Sequence, residues 1–220
     1  MIDTVSDHPE LDGDHPDSRP DSVVMGRRIR ALRVDRGLSL RAVAEKIGVS
    51  SSALSQIENG VMQPSVKRLI GIMDVLDAPL SAVFSPARVD VAAQDALEQD
   101  APEILPGVSV ARAVDAAVLD LSEGVRYVKV TPGAVDGIDY FESHYAPGAA
   151  SSDVGEFLVH HGVEFGRVVR GRLAFEFETG RVELHLGDSI AFHASLPHRV
   201  VNDSDEIAQA IWLTVRRDRE

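Results

Sequence analysis

The side chains best suited to read a base sequence lie in one short segment, residues 51–56. The amide of Gln56 can form two hydrogen bonds with the edge of an adenine. The other candidates beside it are short side chains that suit base edges, a thymine methyl group or phosphate oxygens: Ser51, Ser52, Ala53 and Ser55. In a helix these residues share an exposed side, while Leu54 and Ile57 face the core. The segment therefore predicts contacts with double-stranded DNA.

The elements around this segment are predicted to be helices joined by short turns. Ser39 and Ser50 are expected to cap two successive helices, and Gly48 ends the first of them. Pro64-Ser65 is expected to open a fourth helix and Pro79 a short fifth helix. A tight turn at Gly48 lets two helices cross steeply, so that the second one can enter a major groove.

The charge distribution agrees with this assignment. The chain of 220 residues carries a net charge of −13, yet residues 22–86 hold nine basic and five acidic residues, net +4. Residues 1–21 carry net −6 and residues 87–220 net −11. The only basic region is thus the one expected to meet phosphates. Five side chains there are predicted to contact the DNA backbone: Arg27, Arg28, Arg41, Asn59 and Lys67.

The run LSLRAVAEKIGVSSSALSQIENG, residues 38–60, closely resembles the helix-turn-helix of the Xre/lambda-repressor-like family. The resemblance extends over residues 26–85 and includes the trailing Pro64-Ser65. It implies a five-helix DNA-binding domain at residues 22–86, with the helix after Gly48 as the recognition helix.

After a Pro-rich, acidic segment the hydrophobic pattern changes to the period of two that is typical of β-strands. Residues 1–21 are interpreted as a disordered acidic tail, residues 87–107 as a linker and residues 108–220 as an all-β domain. Seven strands are predicted: 125–131, 140–145, 167–169, 173–177, 181–186, 189–192 and 208–215. The fold class is therefore a small α domain followed by a β sandwich or barrel.

This second half resembles the cupin superfamily, a double-stranded β-helix barrel. The likeness rests on two motifs, from His160 through Glu164 to Gly171 and from Gly187-Asp188 through Pro197-His198 to Asn202. The resemblance implies that His160, Glu164 and His198 bind a divalent metal, Fe or Zn, or bind an effector directly. The chain departs from the family pattern at Leu158, where a further His is usual, so a metal-free pocket stays open as an alternative.

The order of the two domains resembles a family of one-component bacterial regulators. It implies a cytoplasmic protein that binds a DNA operator as a homodimer and responds to a small-molecule effector, with no membrane association and no catalytic residues. The absence of cysteine excludes thiolate sites and disulfides.

Two alternatives remain. Iron enzymes of the hydroxypropylphosphonic acid epoxidase type have a similar layout and a His–Glu–His set, which would make His160, Glu164 and His198 iron ligands. The second alternative is a metal-free cupin that serves only as an interaction module.

Overall fold

The computed structural model describes residues 19–84, 110–131 and 137–216. The predicted linker, residues 87–107, lies outside the described residues, as does the predicted tail up to residue 18. The first helix begins at Arg19, three residues inside that predicted tail. The helical region and the β region predicted from the sequence are both present.

Four α-helices occur in the described part of the chain: α1, Arg19–Asp35; α2, Leu40–Lys46; α3, Ser51–Glu58; and α4, Val66–Val75. The predicted caps are confirmed, because the hydroxyl groups of Ser39 and Ser50 accept hydrogen bonds from Ala42 N and Ala53 N. Ser65 caps α4 in the same way. No helix in the described ranges combines the length and the apolar character that crossing a membrane requires.

The predicted fifth α-helix is wrong. The segment after Pro79 forms a 3₁₀ helix, Leu80–Val83, of only four residues. One turn has too few i to i+4 hydrogen bonds to stabilise an α-helix, whereas short 3₁₀ segments are common at such positions. Its first two backbone N–H groups donate instead to the carboxylate of Asp139 in the β domain.

Nine strands follow in the described residues: β1, Val118–Asp120; β2, Val125–Lys129; β3, Ile138–Tyr145; β4, Val163–Arg170; β5, Arg172–Phe177; β6, Gly180–His185; β7, Ser189–His193; β8, His198–Val201; and β9, Ala208–Val215. They form two antiparallel sheets. The larger sheet has the order β1-β2-β3-β9-β4-β7 and the smaller sheet the order β6-β5-β8. The sheets face each other, with Phe175 against Trp212 and Phe177 against Phe192.

The expectation of a closed barrel is not met by the described strands. Between β3 and β4, residues 146–162 supply only single bridges, Ala150 to Val201 and Leu158 to His198. Isolated bridges do not continue a hydrogen-bond ladder, so the two sheets remain separate. The architecture is a cupin-like sandwich whose interior holds the predicted His and Glu side chains.

The helical and β domains contact each other along what we call the domain seam. Its polar contacts involve Lys67, Asp74 and the backbone carbonyl of Ala78 on the helical side and Asp139, Ser151, Glu156, His161 and Arg216 on the β side. The apolar core of the helical domain includes Ile29, Leu54, Ile57, Leu69 and Ile72, each fully buried. These residues belong to one continuous apolar cluster that crosses the seam and includes Phe175 and Trp212 of the β domain.

Candidate nucleic-acid interface and metal centre

Helix α3 presents the predicted recognition face to the outside. Ser52 and Gln56 are exposed, and Leu54 and Ile57 are buried in the helical core, as the sequence predicted. The remaining candidates on this face are half-buried: Ser51, Ala53 and Ser55. Among the described residues, no hydrogen bond or ion pair joins these five residues to the β domain, so the recognition face is not bound by the described part of that domain.

The five predicted phosphate contacts are placed differently from one another. Arg27 on α1, Arg41 on α2 and Asn59 at the end of α3 are exposed. Arg28 is half-buried, and burial lowers the pKa of its guanidinium. Lys67 lies at the domain seam, where its ammonium group is 2.8 Å from Glu156 of the β domain. Arg27, Arg41 and Asn59 are therefore the ones most accessible to a duplex in this arrangement.

A buried ion pair fixes α3 against α1, and the sequence analysis missed it. Nε and Nη2 of Arg33 donate to the two carboxylate oxygens of Glu58 at 2.6 and 2.8 Å. The same guanidinium donates to Leu38 O at 2.9 Å. Such a two-pronged contact holds both the position and the orientation of a helix. The signal in the sequence was Glu58 itself, an acid beside the buried Ile57 on a predicted helix.

The structure brings the three predicted metal ligands together inside the β domain. Nε2 of His160 lies 3.0 Å from Oε1 of Glu164, and Nε2 of His198 lies 3.9 Å from Oε2 of the same carboxylate. All three ligand atoms fall within 4.8 Å of one another. His198 and Glu164 are buried, and the side chain of His160 is nearly so.

Backbone carbonyls orient both imidazole rings toward the centre of the cluster. Nδ1 of His198 is 2.8 Å from Leu196 O, and Nδ1 of His160 is 3.3 Å from His161 O. With a proton on each Nδ1, both Nε2 lone pairs would be free to bind an ion placed between the two rings and Glu164. Metal-binding histidines commonly show this second contact, because it fixes the tautomer and the ring orientation.

The two histidines have opposite pKa shifts. Burial lowers the pKa of His198 and outweighs the attraction of Glu164. Burial also acts to lower the pKa of His160, but its closer interaction with Glu164 raises the pKa overall. His198 is therefore the more readily neutral of the two ligands, whereas the carboxylate of Glu164 favours the protonated form of His160.

The cluster fits a divalent ion by its donor set. Two imidazole nitrogens and one carboxylate are the ligands used at facial-triad iron sites and at catalytic zinc sites. The buried Nε2 of His160 makes no aligned hydrogen bond despite its short distance to Glu164. A buried nitrogen without an aligned hydrogen bond is costly, and an ion between the three side chains would satisfy it. Leu158 is buried and apolar, so the described residues offer three ligands.

Two tyrosines that the sequence analysis did not single out lie near the cluster. Tyr127 and Tyr145 are buried, and their phenol groups interact with each other. Burial raises the pKa of both, and the negative charge of Glu164 raises both further. Both phenol groups therefore stay protonated and can donate hydrogen bonds. The alternation of buried residues along β3 is the signal that could have indicated Tyr145.

A cavity of about 40 Å³ extends from His160 and Glu164 to the domain seam. Its walls come from both domains, and they include Ile70, Met73 and Asp74 of α4. The predicted sensor site therefore meets the DNA-binding domain directly.

Comparison with known proteins agrees with both halves of this description. The helix-turn-helix family model matches residues 29–83, and the cupin domain family model matches residues 141–214. The chain is 28% identical over 189 residues to the HTH-type transcriptional regulator PuuR of Escherichia coli strain K12. That alignment covers 84% of this chain and 91% of PuuR.

One further relative supports the assignment, and one solved structure shares the fold. The transcriptional regulator ClgR of Mycobacterium tuberculosis strain H37Rv is 37% identical over 79 residues, which cover 36% of this chain and 70% of ClgR. A crystal structure of an HTH_3-family transcriptional regulator from Vibrio cholerae superposes with a TM-score of 0.63 at 24% identity. It covers 90% of this chain and 98% of that one, and so shares the fold. The chain belongs to the helix-turn-helix transcriptional regulators and carries a cupin domain in its second half.

Proposed function

We propose that this DNA-binding transcriptional regulator reads its operator with α3 and senses a small molecule with the cupin domain. The observation that carries the proposal is the pairing of two separate sites in one chain. One is a capped helix with an exposed Gln56, and the other is the buried group of His160, Glu164 and His198. No catalytic residue is assigned in this proposal.

Base readout is assigned to Gln56, helped by Ser52 beside it. Gln56 is exposed, so its amide can reach a base edge when α3 enters a major groove. Ser51, Ala53 and Ser55 are half-buried, and we assign them to shorter-range contacts with phosphates or base methyl groups. Arg27, Arg28, Arg41, Asn59 and Lys67 remain the predicted phosphate contacts.

We propose that the protein acts as a homodimer through the outer face of the six-stranded sheet. One helix-turn-helix domain buries little DNA surface, and a dimer places two recognition helices about 34 Å apart, one turn of the duplex. The outer face forms a shallow depression with apolar side chains that include Phe165, Ile190, Ile211 and Leu213. Arg167 is the one charged residue among those that line it. Such an apolar surface suits a second copy of the same face.

The cupin cluster is proposed to hold one divalent ion, Fe or Zn, and to bind an effector there. A bound ion would supply Lewis-acid attraction for a carboxylate or phosphonate oxygen. Without an ion, the same His, Glu and Tyr side chains would bind the effector by hydrogen bonds. In either case the effector changes operator affinity only if it prefers one arrangement of the protein.

A selection from random DNA duplexes tests the proposal. The full-length protein should enrich a two-fold-symmetric sequence, and its affinity for that sequence should fall steeply with salt. Enrichment of no sequence, together with equal binding to all duplexes, would contradict the proposed function.

A second candidate is an iron-dependent oxidoreductase, favoured by the His160, Glu164 and His198 set. The exposed Gln56 on a capped α3 is not needed by such an enzyme, which is why we prefer the regulator. Turnover of a substrate with oxygen or peroxide by an iron-loaded protein that does not bind DNA would establish this second candidate.

A further inference from the structure

The cavity at the metal cluster is built by both domains. On the β side it is lined by His160 and Glu164, and on the helical side by three residues of α4 and two residues after it. The helical residues are Ile70, Met73, Asp74, Ala78 and Leu80. The other described cavity lies on the outer sheet face and contains none of the three cluster residues. The DNA-binding domain therefore forms the outer wall of the cavity that reaches the cluster.

The segment that carries His160 is tied to α4 at three points. Nδ1 of His161 lies 2.7 Å from Oδ1 of Asp74. The ammonium group of Lys67 lies 2.8 Å from Glu156, and the backbone N–H of Lys67 donates to Ser151 O at 3.1 Å. These contacts hold residues 151–161 of the β domain against one helix of the DNA-binding domain.

A second set of contacts holds the 3₁₀ helix to the sheet beside the cavity. The carboxylate of Asp139 accepts hydrogen bonds from Leu80 N at 3.0 Å and Ser81 N at 2.8 Å. Arg216 donates to Asp139 at 2.9 Å and to Ala78 O at 2.6 Å. Asp139 is buried, and these donors satisfy its carboxylate oxygens. Specific polar contacts therefore hold the two domains together on two sides of the cavity.

The volume of the cavity limits what it can hold while the domains are in contact. About 40 Å³ accommodates an ion and a few waters, since one water needs at least roughly 10–15 Å³. Pockets for metabolites and drugs usually measure about 300–1,000 Å³. An effector with more than a few heavy atoms therefore has no room beside His160 and Glu164, the two cluster residues that line the cavity, in this arrangement.

We infer that docking of the DNA-binding domain on the cupin domain gates the His160, Glu164 and His198 cluster. A metal ion fits the docked arrangement, whereas a larger ligand binds only when α4 and the 3₁₀ helix separate from the sheet. Effector binding and domain docking therefore compete, which transmits occupancy of the cluster to the recognition helix. This inference rests on the proposed sensing role of the cluster.

Chemical modification of the histidines tests the gate without knowledge of the effector. Metal-free full-length protein is treated with diethyl pyrocarbonate, a reagent larger than the cavity, and the acylation rate of each histidine is followed by peptide mass spectrometry. His198 reports on the cluster, and His185, which is exposed on β6, is the internal reference. We expect His198 to react at least about tenfold more slowly than His185.

Variants then separate the domains. Asp74→Ala with Arg216→Ala removes contacts on both sides of the cavity, and we expect the His198 rate to rise about tenfold. If the double variant fails to fold, the nearly isosteric change Asp74→Asn replaces it, and we expect a smaller rise in the His198 acylation rate. The matched control is Arg172→Ala with Asp203→Ala, which removes an ion pair far from the seam and should leave the rate unchanged.

A cross-link between the domains distinguishes two causes of faster acylation: separation of the domains, and the space left by the truncated side chains of Asp74 and Arg216. Lys67 and Glu156 do not line the cavity, and the chain has no cysteine. We introduce Lys67→Cys and Glu156→Cys into the variant that carries Asp74→Ala and Arg216→Ala, and join the two cysteines with a short bismaleimide. If the domains must separate, the cross-link should keep His198 protected. A cross-linked protein that reacts as fast as the open variant would overturn the gate, as would a wild-type His198 that reacts like His185. Both results are independent of the DNA selection that tests the proposed function.

Discussion

The guanidinium of Arg33 and the carboxylate of Glu58 form a two-pronged ion pair in which Glu58 is only 4% exposed. Arg33 belongs to α1 and Glu58 is the last residue of α3. The pair therefore links the recognition helix to the longest helix of its domain. It joins residues 25 positions apart, so local sequence patterns give no direct sign of it.

Removal of this pair should destabilise the helical domain. Glu58→Ala leaves the Arg33 guanidinium largely buried without its carboxylate partner, and we expect a loss of about 3 kcal/mol in unfolding free energy. The loss stays near the low end for a buried pair because Arg33 keeps its bond to Leu38 O. Urea unfolding followed by circular dichroism measures the change. Glu45→Ala, an exposed acid on α2, should change stability by less than about 0.5 kcal/mol.

Two helical glycines should respond in opposite directions to substitution by alanine. A Cβ at Gly26 would lie 2.4 Å from Ile57 O, a backbone atom of α3 that cannot move independently. Gly26→Ala should therefore cost about 1–3 kcal/mol. At Gly71 the nearest atom would lie at 3.6 Å, so Gly71→Ala should gain up to about 1 kcal/mol from helix propensity. Thermal unfolding of the two variants compares them, and equal shifts would contradict the close approach of α1 and α3.

The metal centre should be detectable in protein purified without chelators. We expect near-stoichiometric Fe or Zn by elemental analysis, and His198→Ala should remove most of it because three ligands become two. His185→Ala changes an exposed histidine and should leave the content unchanged. A wild-type protein that retains no ion after incubation with Fe(II) or Zn(II) would favour the metal-free pocket.

The proposed dimer face can be tested by charge insertion. Phe165 is 46% exposed on the outer face of the large sheet, and Phe165→Arg should convert a dimer to a monomer in light scattering. Val182 on the small sheet is 45% exposed, which makes Val182→Arg a matched control that should stay dimeric. A wild-type protein that remains monomeric at high concentration, alone and with DNA, would refute the dimer.

The helical half of the fold was largely predictable because its signals are local. Ser39, Ser50 and Ser65 cap the helices that follow them, as expected from their side chains. The error at Leu80–Val83 arose because the 3₁₀ helix is stabilised by Asp139, a residue of the other domain.

The β half was predicted less completely. The start of β4 was placed too late because Gly166 interrupts the alternating pattern. A glycine is needed at position 166 for packing, since a Cβ there would lie 2.7 Å from the Trp212 ring. Strand β8 was missed because its four residues do not alternate, with His198, Arg199 and Val200 all buried.

The cluster was predictable in composition but not in its surroundings. His160, Glu164 and His198 followed from the family resemblance, and the structure brings them together. The domain seam depends on pairs such as His161 with Asp74, which are 87 positions apart. Neither hydrophobic period nor motif spacing encodes such contacts, so only the folded chain could show that the cavity has walls from both domains.

The central claim is that α3 reads DNA sequence through Gln56, and operator affinity measured on a set of single-base variants tests it most directly. Wild-type protein, Gln56→Ala, Arg41→Ala and Gln209→Ala are titrated against the selected operator and each variant at fixed salt. Gln209 lies on β9, away from α3, so Gln209→Ala controls for the same chemical change.

We expect Gln56→Ala to lose about 1–3 kcal/mol of binding free energy and to stop discriminating at one operator position. Arg41→Ala should weaken binding to all variants similarly and lower the salt slope by about 1, and Gln209→Ala should bind like wild type. If Gln56→Ala keeps wild-type affinity and discrimination at every position, α3 does not read DNA through Gln56 and the account is contradicted.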